Sequence, residues 1–317
     1  MTGGTGFIGA NLTRRLIADG HEVHLLVRPS EARWRLGGLT NSLVFHEAAL
    51  QQKDRVEDIV RDVDPQFVFH LAAYGAYSSQ SDVRTIVETN YNGTVDLIEA
   101  CLKTGFETFV NAGSSSEYGY KDHAPLESEF VQPNSHYAAT KAGATLYCRF
   151  AAQKTQRQIT TLRLYSVFGP WEEPTRLIPT LILHCLRGDF PPLVSPKVAR
   201  DFVYVSDVVD AFVKAAETCT EDPGTVLNIG TGTQTTLGDL VDTVRRQLGI
   251  AAAPLWGSMT EREWDTDIWV SDPSNAGQVL GWKPSMDVPT ALQSFAQWLN
   301  ADPRIKEFYE TSRNLPQ

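Results

Sequence analysis

The sequence predicts an α/β fold: a Rossmann-like doubly wound, mostly parallel sheet with a smaller mixed α/β lobe. Two observations carry the prediction. Strand-like apolar runs alternate with helix-like segments through the first half of the chain, as in right-handed strand–helix–strand units. A turn carrying Gly3, Gly4, Gly6 and Gly9 opens directly into the first helical segment. Backbone without side chains there turns tightly and can bring a diphosphate onto a helix N-terminus.

Only Met1 precedes this turn's first residue, Thr2, where such a sheet places its central first strand. That strand is therefore expected to be truncated, through a misplaced start or a shortened chain. Ile8, Leu12 and Leu16 then recur at helical spacing and Gly20 ends the helix. Strands are expected at 21–27, 43–46, 67–72, 108–112 and 160–164, with helices at 55–63, 83–104 and 136–154. Beyond Gly169-Pro170 the alternation weakens. Residues 201–205 and 226–229 read as later strands of the same sheet, while 171–199 and 231–317 read as a second lobe. The division is thus 1–166 with 201–229 for the dinucleotide-binding domain, and 167–200 with 230–317 for the substrate lobe. A cleft is expected between them at the carboxyl ends of the strands. Trp256, Trp264, Trp269, Trp282 and Trp298 read as core of the small lobe.

At 317 residues, 42% hydrophobic and 21% charged, the chain has the composition of a globular enzyme. A formal net charge of -10 argues against nucleic acid or an anionic membrane as partner and leaves small molecules. No apolar run has bilayer length and no export signal opens the chain, which places it in the cytoplasm. Cys101, Cys148, Cys185 and Cys219 lie far apart and read as buried free thiols, with no metal site.

The second strand ends Leu26-Val27-Arg28-Pro29-Ser30, without a carboxylate for a ribose. Arg28, helped by Arg33 and Arg35, suits the extra phosphate of NADP, so NADP(H) is the expected cofactor, with NAD(H) the alternative. Tyr137 and Lys141 stand four residues apart on one face of a helical segment. A fixed ammonium there would draw the phenol toward the range of neutral proton exchange. Ser114, in the turn Gly113-Ser114-Ser115-Ser116-Glu117-Tyr118-Gly119 after a strand, can polarise a carbonyl.

Together these residues resemble the extended short-chain dehydrogenase/reductase family, the NAD-dependent epimerase/dehydratase group acting on nucleotide sugars. The resemblance extends over His70-Leu71-Ala72-Ala73, over Asn90 in Asn-Tyr-Asn-Gly-Thr, and over the stretches Arg163–Pro170 and Arg200–Asp207. It implies Ser114, Tyr137 and Lys141 as catalytic residues. Gly3, Thr5, Gly6, Phe7, Ile8, Gly9, Arg28, Leu71, Ala72, Ala73 and Asn90 would hold the cofactor with Tyr137 and Lys141. Ser115, Ser116, Arg176 and Arg200 would meet a nucleotide-diphosphate sugar, with Arg200 on the diphosphate. A homodimer is implied, built on the helices carrying Val95, Ile98, Leu102, Leu146 and Phe150; the same residues could instead only cover the sheet.

Sugar 4,6-dehydratases of this kind carry acidic residues directly after the catalytic Ser or Thr. Here Ser115 and Ser116 stand there, and Glu117 comes one place late. The Gly-Ser-Ser-x-Glu-Tyr-Gly form looks most like reductases such as GDP-4-keto-6-deoxymannose reductase. The leading expectation is therefore reduction of the C4 keto group of a nucleotide 4-keto-6-deoxyhexose, with Tyr137 as acid. A 4-epimerase retaining NAD is the runner-up, ahead of a dehydratase, and an NADP-sensing protein without chemistry is the non-enzyme reading.

Overall fold

A computed structural model describes residues 1–29, 31–77, 79–259 and 266–312; Trp264 and Ser30 lie outside the described residues. Chain order runs α1 (Phe7–Ala18), β1 (Val23–Val27), β2 (Leu43–Glu47), α2 (Lys53–Val63), β3 (Phe67–His70), α3 (Val83–Val87), α4 (Gly93–Thr104), β4 (Thr108–Ser114), α5 (His136–Thr155) and β5 (Gln158–Leu164). There follow β6 (Ser166–Phe168), α6 (Leu177–Leu186), β7 (Ala199–Arg200), β8 (Phe202–Tyr204), α7 (Val205–Glu217), β9 (Val226–Ile229) and β10 (Thr235–Thr236). The chain then passes through α8 (Leu237–Leu248), α9 (Ser274–Leu280), α10 (Val288–Ala301) and α11 (Pro303–Ser312). No helix among the described residues is long and apolar enough to cross a membrane.

The sheet is parallel. β1 pairs with β2, and β3, β4, β5 and β9 pair successively. Between β1 and β3 lies Met1–Thr2, with Thr2 bridging both strands in parallel. The Leu26 N–H donates to the Met1 carbonyl at 2.9 Å and the Thr2 N–H to the Phe69 carbonyl at 2.9 Å. With the Met1 ammonium donating to the His24 carbonyl at 2.9 Å and the Leu71 N–H to the Thr2 carbonyl at 3.2 Å, these bonds join the halves of the sheet. Both faces are covered, as a parallel sheet requires. Leu12, Leu25, Phe69, Phe212 and Leu227 pack one side; Val56, Ile98, Phe109, Cys148 and Ile159 pack the other. A separate core around Ile182, Leu240, Phe295 and Tyr309 holds the small lobe.

Four expectations are corrected. β8 is not in the main sheet: it pairs with β6, and alternation splits its faces, with Val203 in the sheet core and Phe202 and Tyr204 in the small-lobe core. The helix foreseen over 83–104 is interrupted by a π turn at Glu88–Asn92, a widening that serves Asn90 below. Trp282 belongs to the sheet core, its indole donating to the Asp207 carbonyl at 2.8 Å, because α9 packs on α7 rather than in the small lobe. Cys219 is exposed while the other three thiols are buried; all four are free.

Candidate active site

The glycine turn lies against the loop after β3. Gly3 has φ +69°, and a Cβ on it would sit 2.5 Å from the Leu71 carbonyl carbon; a Cβ on Gly9 would sit 2.0 Å from the Gly3 carbonyl oxygen. Only glycine allows this approach. Thr5 is buried and Gly6 donates back to the Gly3 carbonyl at 3.0 Å. Phe7 and Ile8 begin α1 with half-buried side chains packed against the sheet core. Leu71, Ala72 and Ala73 form the facing wall, pinned by the Ala72 N–H donating to Thr2 Oγ1 at 3.2 Å. Thr2 Oγ1 also meets His70 Nδ1 at 2.7 Å, and His70 Nε2 meets Thr94 Oγ1 at 2.9 Å. Burial holds the His70 pKa down at about 3, so the ring is neutral.

Asn90, expected on the cofactor, is fully buried and clasps the backbone of Tyr74 instead. Its Oδ1 accepts the Tyr74 N–H and its Nδ2 donates to the Tyr74 carbonyl, both at 2.8 Å, while Nδ2 also reaches Thr140 Oγ1 at 3.1 Å. Asn90 therefore positions the β3 loop on α5.

Ser114 ends β4 and caps the short 3-10 turn Ser115–Tyr118. Glu117 turns inward and is fully buried. Its Oε1 accepts the Ser114 N–H at 2.8 Å and the Thr145 hydroxyl at 3.0 Å, and its Oε2 accepts Arg163 Nε at 2.9 Å. Arg163 then donates to the Tyr118 hydroxyl at 2.8 Å, which donates to Asn228 at 2.7 Å. A buried ion pair thus holds the Ser114 turn from beneath. The sequence displays both residues in separate motifs; nothing in it says that they meet.

On the cleft side, Ser114 Oγ lies 2.5 Å from Ser116 Oγ, and the Ser114 side chain acts to lower the Tyr137 pKa. Ser115 does not face a substrate: it is buried and accepts the Trp269 indole N–H at 3.2 Å. Lys141 is buried on α5 with no ion pair among the described residues; burial lowers its pKa and the Glu117 charge opposes that. The phenol of Tyr137 does not titrate near neutrality as expected. Burial pushes it up to about 12, with the Ser114 hydrogen bond pulling it back. An enclosed ammonium without an acceptor, beside a glycine cradle that no side chain could enter, fits the ribose and diphosphate of a dinucleotide.

Each arginine of the basic strand end has a carboxylate partner. Arg28 pairs with Glu31 at 2.6 Å, Arg33 with Glu47 at 2.9 Å, and Arg35 with Glu173 at 2.8 Å. Sequence-local reading missed these carboxylates because two of them arrive from other elements. Arg200 projects from β7 with its guanidinium 5.6 Å from the Trp269 ring. Asp201 beside it is buried and accepts from Thr231, Gly232 and Ser271, which ties the strand to the segment carrying Trp269. Arg176, ahead of α6, lies over the Tyr77 ring at 5.6 Å, and its charge is felt at Tyr137.

Residues 1–230 match the family model described as NAD dependent epimerase/dehydratase family. UDP-glucuronate 4-epimerase 4 of Arabidopsis thaliana is 29% identical over 94% of this chain and 74% of its own. UDP-glucose 4-epimerase of Rhizobium meliloti is 27% identical over 94% and 95%. Among solved structures, UDP-glucose 4-epimerase of Thermotoga maritima with UDP-glucose superposes at TM-score 0.85 with 27% identity, covering 95% of this chain and 97% of that one. MoeE5 with UDP-glucuronic acid and NAD superposes at 0.81 with 30% identity, covering 95% and 98%.

Proposed function

The chain belongs to the NAD dependent epimerase/dehydratase family, and from that premise we propose that it is a nucleotide-sugar 4-epimerase working with retained NAD. The observation that carries this reading is the buried Lys141 one turn after Tyr137 on α5, with Ser114 acting on the Tyr137 phenol, in a chain whose opening turn only glycine allows. Relatives named as UDP-sugar 4-epimerases and neighbours holding NAD support it. The two supports for reduction weaken together. Glu117, which made the serine motif look like a reductase's, is a buried partner of Arg163 and says nothing about the reaction. Arg28, which favoured NADP, is already paired with Glu31.

In this reading NAD, held by Gly3, Gly6, Gly9 and Lys141, supplies a reversible hydride acceptor and a positive charge. Tyr137 takes the proton from the sugar 4-hydroxyl as C4 is oxidised and returns it after the ring has turned over. Burial raises its pKa, and a positive charge beside it would favour the phenolate that accepts the proton. Ser114 donates to the C4 oxygen, and Ser116, through the 2.5 Å contact, keeps the Ser114 hydroxyl in place. Arg200 takes the nucleotide diphosphate. Of the residues expected on a dimer face, Ile98 and Leu102 pack in the sheet core and Val95 is half-buried, while Leu146 and Phe150 are exposed; a second copy of the chain covers these two with Val83, Val87 and Tyr91.

The test is to denature purified protein and assay the released nucleotide. The native protein is then incubated with UDP-glucose and with UDP-glucuronic acid, no cofactor added, and C4 inversion is followed by proton NMR. Released NAD and a C4 epimer are expected. Turnover of a 4-keto sugar only with added NADPH, without inversion, would return the assignment to a reductase.

A further inference from the structure

Asp201 is a buried acid beside the cleft that the proposed chemistry leaves unused. Its Oδ1 accepts the Thr231 N–H at 2.7 Å and the Thr231 hydroxyl at 2.6 Å. Its Oδ2 accepts the Gly232 N–H and the Ser271 N–H, both at 3.0 Å, and the Ser271 hydroxyl at 2.5 Å. Glycine lets the chain come this close: a Cβ on Gly230 would sit 2.5 Å from Ser271 Oγ and 2.8 Å from Asp201 Oδ2, and Gly232 has φ +71°. Donors gathered on a carboxylate bind more strongly than on a neutral acceptor.

What this carboxylate fastens is the support of Arg200. The Arg200 guanidinium donates to the Thr266 carbonyl at 3.4 Å and to the Ala199 carbonyl at 2.7 Å, and lies 5.6 Å from the Trp269 ring. Thr266 and Trp269 belong to a segment distant in sequence, and Ser271, two residues beyond Trp269, is where Asp201 grips it. Gln234 holds the same segment from the other side, accepting the Trp269 N–H at 3.1 Å and donating to the Asp267 carbonyl at 2.8 Å. Gln234 in turn follows Thr231 and Gly232, which Asp201 also binds. Strand pairing adds little here, because β7 and β10 meet over only two residues each. The segment also reaches the Ser114 turn, through the Trp269 indole on Ser115.

We propose that Asp201 is a positioning residue for the nucleotide diphosphate: by fixing 266–271 it fixes the surface on which the Arg200 guanidinium lies, and so sets diphosphate affinity without touching the ligand. This rests on the nucleotide-sugar reading above, with Arg200 on the diphosphate. Asparagine in its place keeps the shape. Each oxygen of Asp201 takes at least two donors, so whichever place the amide nitrogen occupies, two contacts become donor against donor.

Binding of UDP to the protein as purified is titrated by ligand-observed NMR, which also reads weak binding. The variants are Arg200→Ala, Asp201→Asn, Ser271→Ala and the two double variants that include Arg200→Ala. Asp201→Asn is expected to weaken UDP by about 10- to 100-fold, the scale of lost hydrogen bonds to a charged group, with released NAD at the wild-type amount. Ser271→Ala removes only the hydroxyl donor and should weaken UDP less, in the same direction. In the Arg200→Ala background each substitution should cost less than about twofold more, because a residue that acts through Arg200 has nothing left to act on. If Asp201→Asn does not fold, the Ser271→Ala cycle decides. Losses that add in full in the double variants would overturn the proposal, as would UDP affinity unchanged by either substitution; Asp201 would then serve the fold alone. Protein that binds UDP but inverts neither UDP-glucose nor UDP-glucuronic acid removes the epimerase reading, while the cycle still decides the role of Asp201. Wild-type protein that binds no UDP overturns both.

Discussion

Glu117→Gln is the substitution that most directly tests how the Ser114 turn is held. Glu117 is fully buried and its two oxygens satisfy three donors: the Ser114 N–H, the Thr145 hydroxyl and Arg163 Nε. Glutamine keeps the shape but replaces one oxygen by a donor, so at least one of the three contacts becomes donor against donor. It also leaves the Arg163 guanidinium, whose side chain is 5% exposed, without its counter-charge. An unsatisfied buried donor costs about 1–3 kcal/mol, and breaking a buried ion pair on one side costs about 3–5 kcal/mol in all. The expected loss is therefore about 3–5 kcal/mol, read from urea unfolding monitored by tryptophan fluorescence. A companion variant, Glu117→Leu with Arg163→Met, removes both charges and should recover part of the loss. Because the Ser114 N–H is one of the three donors, kcat should fall even where the variant is folded. A loss below about 1 kcal/mol with unchanged kcat would refute the reasoning, since the ion pair would then neither hold the turn nor matter to it.

Tyr137→Phe should abolish C4 inversion while leaving released NAD at the wild-type amount; measurable inversion would remove the tyrosine from its role. His70 is neutral in the fold, with a pKa near 3 against an ordinary 6.5. Its contribution is therefore intact above about pH 6.5 and is lost as pH falls toward 3, when the unfolded chain binds a proton that the folded one refuses. The ceiling is about 5 kcal/mol. Urea midpoints at pH 7 and pH 4.5 should converge in His70→Gln relative to wild type, and equal acid sensitivity of the two would be the contrary result. Arg28→Ala should leave the retained nucleotide as NAD, because that side chain is already spent on Glu31; a switch in nucleotide would show that it discriminates. Phe150→Glu, at a side chain 54% exposed on α5, should shift sedimentation toward monomer, and an unchanged profile would leave that face to solvent.

Local pattern determined much of this protein. The glycine turn, the order of strands and helices, and the Ser114, Tyr137 and Lys141 positions are all written in short-range spacing, because turn chemistry and amphipathic period are properties of neighbours in sequence. Their meeting in one cleft followed from the strand order. What the sequence left open is decided by contacts between distant segments. The state of Arg33 depends on Glu47 arriving from β2, and that of Arg35 on Glu173 arriving from beyond β6. Asn90 read as a cofactor ligand until the π turn placed it on the Tyr74 backbone, and Ser115 as a substrate contact until Trp269 reached it from the small lobe. Glu117 read as part of a reaction signature until burial joined it to Arg163. In each case the residue's chemistry was legible, but its partner was not. Partners are chosen by folding, where a buried charge or polar group must be satisfied by whatever the packing brings within hydrogen-bond distance.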